Sequence, residues 1–397
     1  MSNAKVIFHI DMNMFFASVA VIKNKSLKGK AFVVGRAGTT KGVVATASYE
    51  ARKYGIHSGE PLIEALRKKP DLIVVDVDFE MIRQYHNYFI NLIEDYTKII
   101  EVASIDEVYC DMTLICKTRN AMEVAKEIQL RLVKEYHLPA SIGIAPTLFL
   151  AKMASDMKKP LGLVVIRKKD SFNMLKDLSV STIYGIGKKT YPKLIENNIL
   201  TINDFFIDEN KDKIINLVGE NTYDYVISHV LGNSSNIVDS SRYAKNQSIS
   251  LCDTFDSPLT NDLDILYELR RQTKELIEKL KKMNMMTKTV TLTLRDKSFK
   301  TINRSKTIDY SDNFYDLFKV VSNLFYENYD ETKLIRLCGV GFSNLKDKIE
   351  IIKLEYNLFT YEDFAKKDES IKKTLKEIQD KYGVDLIQLG IKEVKKE

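Results

Sequence analysis

The sequence predicts a mixed α/β chain in three parts: an α/β domain over roughly the first 165 residues, a small helical module, and a separate α+β module over about 243 to 345. Three observations carry this. Short apolar runs alternate with helix-patterned stretches in the first part. Residues 171–232 are nearly all helix-patterned, broken at Gly185, Gly187, Gly219 and Gly232. Beyond a polar, serine-rich stretch at 233–241, Thr289–Arg295 alternates polar and apolar residues with period two.

In chain order, Val6–Ile10 reads as a short buried strand that ends at Asp11, and the aromatic-rich Met12–Val19 can begin a helix. Leu72–Val77 is a second apolar run, followed by a long helical pattern. Ile99–Ala103 and Val108–Met112 read as a strand pair whose turn holds Asp106 and Glu107. Asn120 is placed to cap a helix, with Glu123 at the capping-box position and Ala121, Ala125, Ile128, Leu132 and Tyr136 at helical spacing before Pro139. Ala140–Ala145 makes a further strand, and Phe149, Leu150, Met153, Ala154 and Met157 mark one face of the next helix. The stretch at 233–241 offers few large apolar side chains and reads as a linker. After it, Thr260–Leu263 opens a helix through Lys282, Val290, Leu292 and Leu294 face inward from the alternating strand, and Leu334–Val340 supplies another strand. The tail carries Ile371, Leu375, Ile378 and Tyr382 on one helical stripe that stops at Gly383.

Composition narrows the function. Hydrophobic residues are 45% and charged residues 29% of 397, with only 7 Pro and 16 Gly, which excludes a disordered or collagen-like chain. Sixty Lys and Arg against 54 Asp and Glu leave a net charge of +6, compatible with a polyanionic partner but too small over this length to require one. Cys110, Cys116, Cys252 and Cys338 form no CxxC pair and read as reduced. Neither a membrane span nor a signal sequence is legible, so the cytoplasm is the expected location. The absence of HExxH, GxGxxG and GxxxxGK[ST] patterns argues against zinc hydrolysis, dinucleotide binding and P-loop nucleotide hydrolysis.

Four groups of residues can carry chemistry. Asp11 at a strand end and Asp106–Glu107 in a hairpin turn can be gathered by one sheet; otherwise they are ordinary surface acids. Three carboxylates repel unless cations join them, and hard oxygen donors suit Mg²⁺, two ions about 4 Å apart stabilising both attacking and leaving oxygens. Tyr49 and Arg52 stand three apart, on one face of a helical turn, and an arginine fork suits phosphate oxygens. A packed Tyr49 and a solvated Arg52 are the alternative, and Lys152, Lys158 and Lys159 pose the same choice. Thr182–Lys189 resembles a helix-hairpin-helix turn, in which Gly185 and Gly187 expose backbone amides to a phosphate and Lys188 and Lys189 reinforce the field; a plain connector has the same residues. Between Lys281 and Lys306 eight basic residues accompany one acid, Asp296, a local charge of +7 that suits duplex phosphates.

Together and in order, these motifs resemble the Y-family translesion DNA polymerases, of the bacterial DNA polymerase IV and Gram-positive UV-damage polymerase-like kind. Asp11–Ser18 is similar to the first catalytic motif, Val44–Arg52 to the fingers motif and Ser104–Glu107 to the second catalytic motif, with Ser141–Ile144 and Leu150–Pro160 completing the core. The match spans nearly the entire chain. It implies a palm with a ferredoxin-like sheet at 1–14 and 79–168, small fingers at 15–78, and a helical thumb with the helix-hairpin-helix element at 169–236. A linker at 237–244, an α+β little finger at 245–350 and a C-terminal tail at 351–397 would follow.

The resemblance also implies roles. Asp11, Asp106 and Glu107, with the Met12 carbonyl, would bind two Mg²⁺ ions. Phe16 would be the steric gate against a ribose 2′-hydroxyl, and Tyr49, Arg52 and Lys159 would hold the incoming triphosphate. Gly185, Gly187, Lys188, Lys297, Lys300 and Arg304 would meet DNA. Asn13 is a departure, because many members have a second Asp there. Glu355–Phe359 resembles a degenerate sliding-clamp box anchored by Leu358 and Phe359 without the leading Gln; a small packed helix is the alternative. The implied activity is that of a monomeric DNA-directed DNA polymerase, a nucleotidyltransferase joining dNTP to a primer on damaged templates in DNA repair and replication. Its partners would be primer–template DNA, dNTP and possible contact with the replication sliding clamp. Two rivals are a nucleotidyl cyclase, which gathers carboxylates on a comparable sheet and needs no primer, and a non-catalytic DNA-binding accessory protein.

Overall fold

Strand β1 (Ile7–Met12) is buried at every residue because it is the middle strand of five. The structure is a computed structural model that describes residues 5–242 and 247–355, with side chains as far as Ile351. Contacts divide the chain into two units at Lys245 and Asn246. In the first, β1 is followed by α1 (Phe15–Lys23), β2 (Phe32–Gly35), β3 (Thr46–Ala47), α2 (Tyr49–Arg52), α3 (Leu62–Lys68) and β4 (Ile73–Asp76). Strands β3, β2 and β4 form a small sheet of their own. Then come α4 (Phe79–Glu94), β5 (Ile100–Val102), β6 (Glu107–Asp111), α5 (Ala121–Tyr136), β7 (Ala140–Ala145), α6 (Leu148–Met157) and β8 (Leu163–Val165). The main sheet has the order β5-β6-β1-β7-β8, antiparallel except where β7 meets β8.

Period-two alternation sorts β1 between two cores. Phe8, Ile10 and Met12 pack with Ile82, Phe89, Val124 and Ile128 of α4 and α5. Ile7 joins the opposite core, with Phe149, Leu150 and Met153 of α6. His9 and Asp11 belong to that second face. The helix starts are legible in their caps: Asp78 accepts from the Met81 amide, Asn120 from Met122 and Thr147 from Leu150. Short helices α7 (Ser171–Leu175), α8 (Tyr191–Glu196), α9 (Lys211–Val218) and α10 (Glu220–Val230) extend the α6-side core through Leu175, Leu194, Ile214 and Val226.

Part of the stretch expected to be unpacked linker is pinned down. Val238 is buried in the same core, and the buried Glu101 carboxylate accepts from the Asp239 amide at 2.8 Å and pairs with Arg242 at 3.2 Å. These partners lie more than 130 residues from Glu101 in sequence, beyond the reach of local patterning.

The second unit contains β9 (Ser248–Leu259), α11 (Asp262–Lys282), β10 (Met285–Asp296), β11 (Thr301–Ser311), α12 (Phe314–Asn328), β12 (Ile335–Ser343), β13 (Lys346–Asp347) and α13 (Lys348–Glu355). Its sheet runs β11-β10-β12-β9. Val290, Leu292 and Leu294 pack under Leu269, Leu276 and Val321 of the two long helices. The other face is open and polar: Thr291 bonds Ser305 at 2.8 Å, and Thr293 donates to Asn303 at 2.8 Å.

Candidate active site

Strand register draws the first acids together. Asp11 of β1 lies directly opposite Glu107 of β6 on one side and Ser141 of β7 on the other. Glu107 therefore opens a strand, where the sequence placed it in a turn. Cross-strand pairing with β1 extends the ladder to it, and the turn closes earlier, through Ala103 and Ser104 amides that donate to the Glu107 carbonyl at 3.0 and 3.1 Å. The Met12 amide donates to the Asp106 carbonyl at 2.9 Å, while the Asp106 carboxylate accepts from the Ser104 hydroxyl at 2.5 Å. Asp106 thus stands beside the Asp11–Glu107 pair and not within it.

Helix α6 brings the counter-charge. It lies against β7 at Gly143, where a Cβ would sit 2.0 Å from the Ala151 carbonyl oxygen and 2.4 Å from the Ser155 nitrogen, so only glycine admits the helix at this depth. Lys152 consequently reaches the acids: its Nζ is 2.9 Å from Glu107, 3.3 Å from Asp11 and 3.3 Å from Asp156. Just beyond the helix, Lys159 Nζ is 2.7 Å from both Asp11 and Asp156. His9, fully buried, has Nδ1 2.8 Å from the Ser155 hydroxyl and Nε2 3.5 Å from Glu107.

The charges respond to this enclosure. Burial pushes the Asp11 carboxyl up to about 6, against the pull of Lys159 and Lys152. Burial also works to raise Glu107, but His9, Asp11 and Lys152 together outweigh it and hold that carboxyl well below the usual range. For Lys152 burial works downward, and Asp156, Glu107 and Asp11 prevail, keeping the ammonium charged.

In the small-sheet region, Ser48 caps α2 by accepting from the Ala51 amide at 3.1 Å. That turn presents Arg52 over the Tyr49 ring, 5.0 Å from its centroid, with Arg52 Nε donating to the Ala47 carbonyl at 3.1 Å. Burial raises the Tyr49 hydroxyl, Arg52 and Lys159 lower it and Asp11 raises it, so these four groups share one field. Phe16, half-buried at the start of α1, meets Phe79 edge-on at 6.5 Å. It also lines a cavity of about 380 Å³ with Val19, Lys23, Asp78 and Ile82, which none of Asp11, Glu107, Tyr49 or Arg52 borders.

Comparison with known proteins decides the family. The impB/mucB/samB family matches residues 10–156, and the impB/mucB/samB family C-terminal domain matches residues 246–354. DNA polymerase IV of Bacillus anthracis is 36% identical, the match covering 99% of this chain and 95% of that protein. DNA polymerase IV 1 of Bacillus subtilis (strain 168) is 36% identical, covering 98% and 93%. A Y-family DNA polymerase chimera superposes with a TM-score of 0.77 at 27% identity, covering 86% of this chain and 99% of its own. The chain belongs to the Y family of DNA polymerases. The insertion ternary complex of Dbh DNA polymerase is also similar, with a TM-score of 0.61, 27% identity and coverage of 86% and 99%. This Y-family chain is thus a DNA-directed DNA polymerase with a mixed α/β fold and a separate C-terminal domain, and the cyclase and accessory-protein readings fall.

The remaining expected residues of this Y-family chain are scattered. Gly185, at φ 96°, packs on Tyr225, whose hydroxyl donates to the Tyr184 carbonyl at 2.9 Å; Ile183 and Ile186 are buried and Gly187 and Lys188 exposed. Lys297 and Lys300 are exposed between β10 and β11. Arg304 pairs across from Leu292 on edge strand β11, on the helix-covered side, and donates to Asn328 at 2.9 Å. Leu358 and Phe359, with the rest of the expected clamp box beyond Glu355, lie outside the described residues. Sequence reasoning left out His9, Ser155 and Asp156 as parts of the site, and weighed Lys152 only as a phosphate contact or a solvated charge. His9 was findable, because period two puts it on the same face as Asp11.

Proposed function

We propose that the chain performs translesion synthesis by Mg²⁺-dependent transfer of a nucleotidyl group from dNTP to a primer 3′-hydroxyl, with pyrophosphate as leaving group. The carrying observation is the Asp11–Glu107 pair with the ammonium groups of Lys152 and Lys159 set against it at 2.7–3.3 Å. With Asp156, three carboxylates meet two ammonium groups, and Asp106 stands next in the chain to Glu107; this all-oxygen donor set is short of positive charge, which fits hard divalent cations. Among the described residues no three His, Cys, Asp or Glu side chains close into a metal cluster, since Asp106 turns to Ser104 and Lys152 stands between the other two. Asp11, Asp106, Glu107 and the Met12 carbonyl would hold two Mg²⁺ ions, whose chemistry is activation of the 3′-hydroxyl and stabilisation of charge on the phosphates.

The chain's own groups do the positioning on which phosphoryl transfer depends. Arg52 offers its fork and Tyr49 its hydroxyl to the triphosphate, and Lys159 exchanges carboxylate partners for phosphate oxygens. Phe16 fills the space of a ribose 2′-hydroxyl. Lys152 keeps Asp11 and Glu107 from repelling each other apart.

In this reading the palm is 1–14 and 79–168, the fingers 15–78, the thumb 169–236 with its helix-hairpin-helix turn at Gly185–Lys188, and the little finger 245–350. The open hydroxyl-rich sheet face, crossed by Gly339 and Gly341 and bordered by Lys297 and Lys300, suits a DNA backbone. Leu358 and Phe359 would serve the sliding clamp. No helix among the described residues is long and apolar enough to cross a membrane, and we place the enzyme in the cytoplasm as a monomer.

Primer extension by Asp106→Ala and Glu107→Ala tests the core of this. Both should lose extension by more than about 1,000-fold while binding primer–template within about twofold of the parent. Parental extension by either variant removes that carboxylate from the site.

A further inference from the structure

Asn13, at a position where the family resemblance implies Asp in many members, has a side chain with a defined task. It is 1% exposed, two residues past Asp11, where β1 has ended. Its Nδ2 donates to the Ser141 hydroxyl at 3.0 Å, and its Oδ1 accepts from the Leu161 amide at 2.7 Å. The Ser141 hydroxyl oxygen also accepts from the Gly162 amide at 3.2 Å. Around this clasp the backbone of Asn13 is fixed as well, its amide donating to the Pro139 carbonyl at 2.7 Å and its carbonyl accepting from Ser18 at 3.0 Å. The side-chain bonds converge on residues 161–162.

What they hold is strained. Leu161 has φ +56°, a left-handed conformation that crowds the Cβ of any residue but glycine and persists only where its surroundings impose it. At Gly162 a Cβ would fall 1.8 Å from the Lys158 carbonyl oxygen, so the chain doubles back tightly here. Lys159 sits inside this turn, two residues before Leu161, with its ammonium 2.7 Å from Asp11.

We propose that Asn13 is a positioning residue for the nucleotide triphosphate: by gripping the Leu161 amide it sets where the Lys159 ammonium stands relative to Asp11. This rests on the reading of Lys159 as a triphosphate ligand. An apolar side chain at position 13 leaves the Leu161 amide without its acceptor and takes one of its partners from the Ser141 hydroxyl, which keeps the Gly162 amide, and the left-handed turn relaxes. The Asp11–Glu107 pairing survives, because backbone register sets it. The loss therefore falls on the KM for dNTP and spares kcat. Asp at position 13 keeps the acceptor for Leu161, and the Ser141 hydroxyl can donate to it.

The test is single-nucleotide insertion kinetics for the parent, Asn13→Ala, Asn13→Asp, Lys159→Ala and the Asn13→Ala/Lys159→Ala pair, each with its thermal unfolding curve. Asn13→Ala should raise the KM for dNTP about five- to tenfold with kcat within about twofold, and Asn13→Asp should stay within about threefold in both. The double variant should match Lys159→Ala, since removing the ammonium leaves Asn13 nothing to position. Should Asn13→Ala not fold, Asn13→Ser serves, because its hydroxyl falls short of the Leu161 amide and must raise the KM likewise. An unchanged KM in Lys159→Ala defeats the triphosphate reading and the proposal with it. A raised KM in Lys159→Ala beside an unchanged one in Asn13→Ala, or penalties that multiply in the double variant, overturns the role of Asn13 alone.

Discussion

Replacing Gly143 with alanine probes how the site is assembled without touching a charged group. The new Cβ would lie 2.0 Å from the Ala151 carbonyl oxygen, 2.4 Å from the Ser155 nitrogen and 2.8 Å from the Ala154 Cβ. Two of these are backbone atoms of α6, which cannot rotate aside, so the helix itself must retreat. Bringing the closest contact out to about 3.2 Å moves α6 by about 1 Å, and overpacking of this kind costs about 3 kcal/mol. The same shift takes the Lys152 ammonium from 2.9 Å to about 4 Å from Glu107. A displacement of about 1 Å at reacting groups lowers turnover about 100-fold. Urea unfolding and primer-extension kcat/KM measure the two effects. Gly341→Ala is the control, because its Cβ would meet nothing closer than 3.5 Å and should leave stability within about 0.5 kcal/mol. If Gly143→Ala matches the parent in both stability and kcat/KM, α6 does not owe its depth, or Lys152 its place, to the missing Cβ.

Three further outcomes follow from the geometry. Lys152→Met should lower the melting temperature in EDTA, since it strips a buried ion network of the more enclosed of its two cations at a cost of about 3 kcal/mol, and Mg²⁺ should then raise the melting temperature more than in the parent; equal Mg²⁺ shifts count against cation binding at these carboxylates. Phe16→Ala should admit ribonucleotides by about 100-fold more than the parent, measured by competing rNTP and dNTP insertion, and undiminished discrimination rules Phe16 out as the gate. Neutralising Lys297, Lys300 and Arg304 together should flatten the salt dependence of DNA binding by about 2 in log–log slope rather than 3, because Arg304 is tied to Asn328; an unchanged slope shows that none of them meets phosphate.

What the sequence revealed of the fold was whatever has a local cause. Asn120 does cap α5, although it bonds the Met122 amide without a reciprocal Glu123 contact, and α11 runs to Lys282 as its pattern predicts. Val290, Leu292 and Leu294 are buried as their alternation requires. Strand β9 escaped notice because Ser248–Leu259 is a half-exposed edge strand whose polar residues give no apolar run, and only pairing with β12 makes it a strand. Arg304 was legible as a cation but not as a hydrogen-bond partner of Asn328, 24 residues away on another element.

The site divides along the same line. Asp11 and the Asp106–Glu107 pair can be named from the chain because they flank apolar runs, but Asp156, inside the α6 pattern, and the pairing of Lys152 with Asp11 and Glu107 cannot. Lys152 is 141 residues from Asp11 and 45 from Glu107, and of its three carboxylate partners Asp156 alone is a neighbour in sequence, at i+4 on the same helix. The two lysines also differ in a way only packing reveals. The Lys152 side chain is 10% exposed and bound to three carboxylates, whereas that of Lys159 is 29% exposed and carried by the 158–162 turn beyond the helix. A triphosphate arriving at the acids brings anionic oxygens that compete for ammonium groups, and the less buried lysine gives up its carboxylate at lower cost. In the proposed reading Lys152 would be the fixed counter-ion between the carboxylates and Lys159 the exchangeable one, so that the turn that carries Lys159 calls for a grip as specific as that of Asn13 on Leu161.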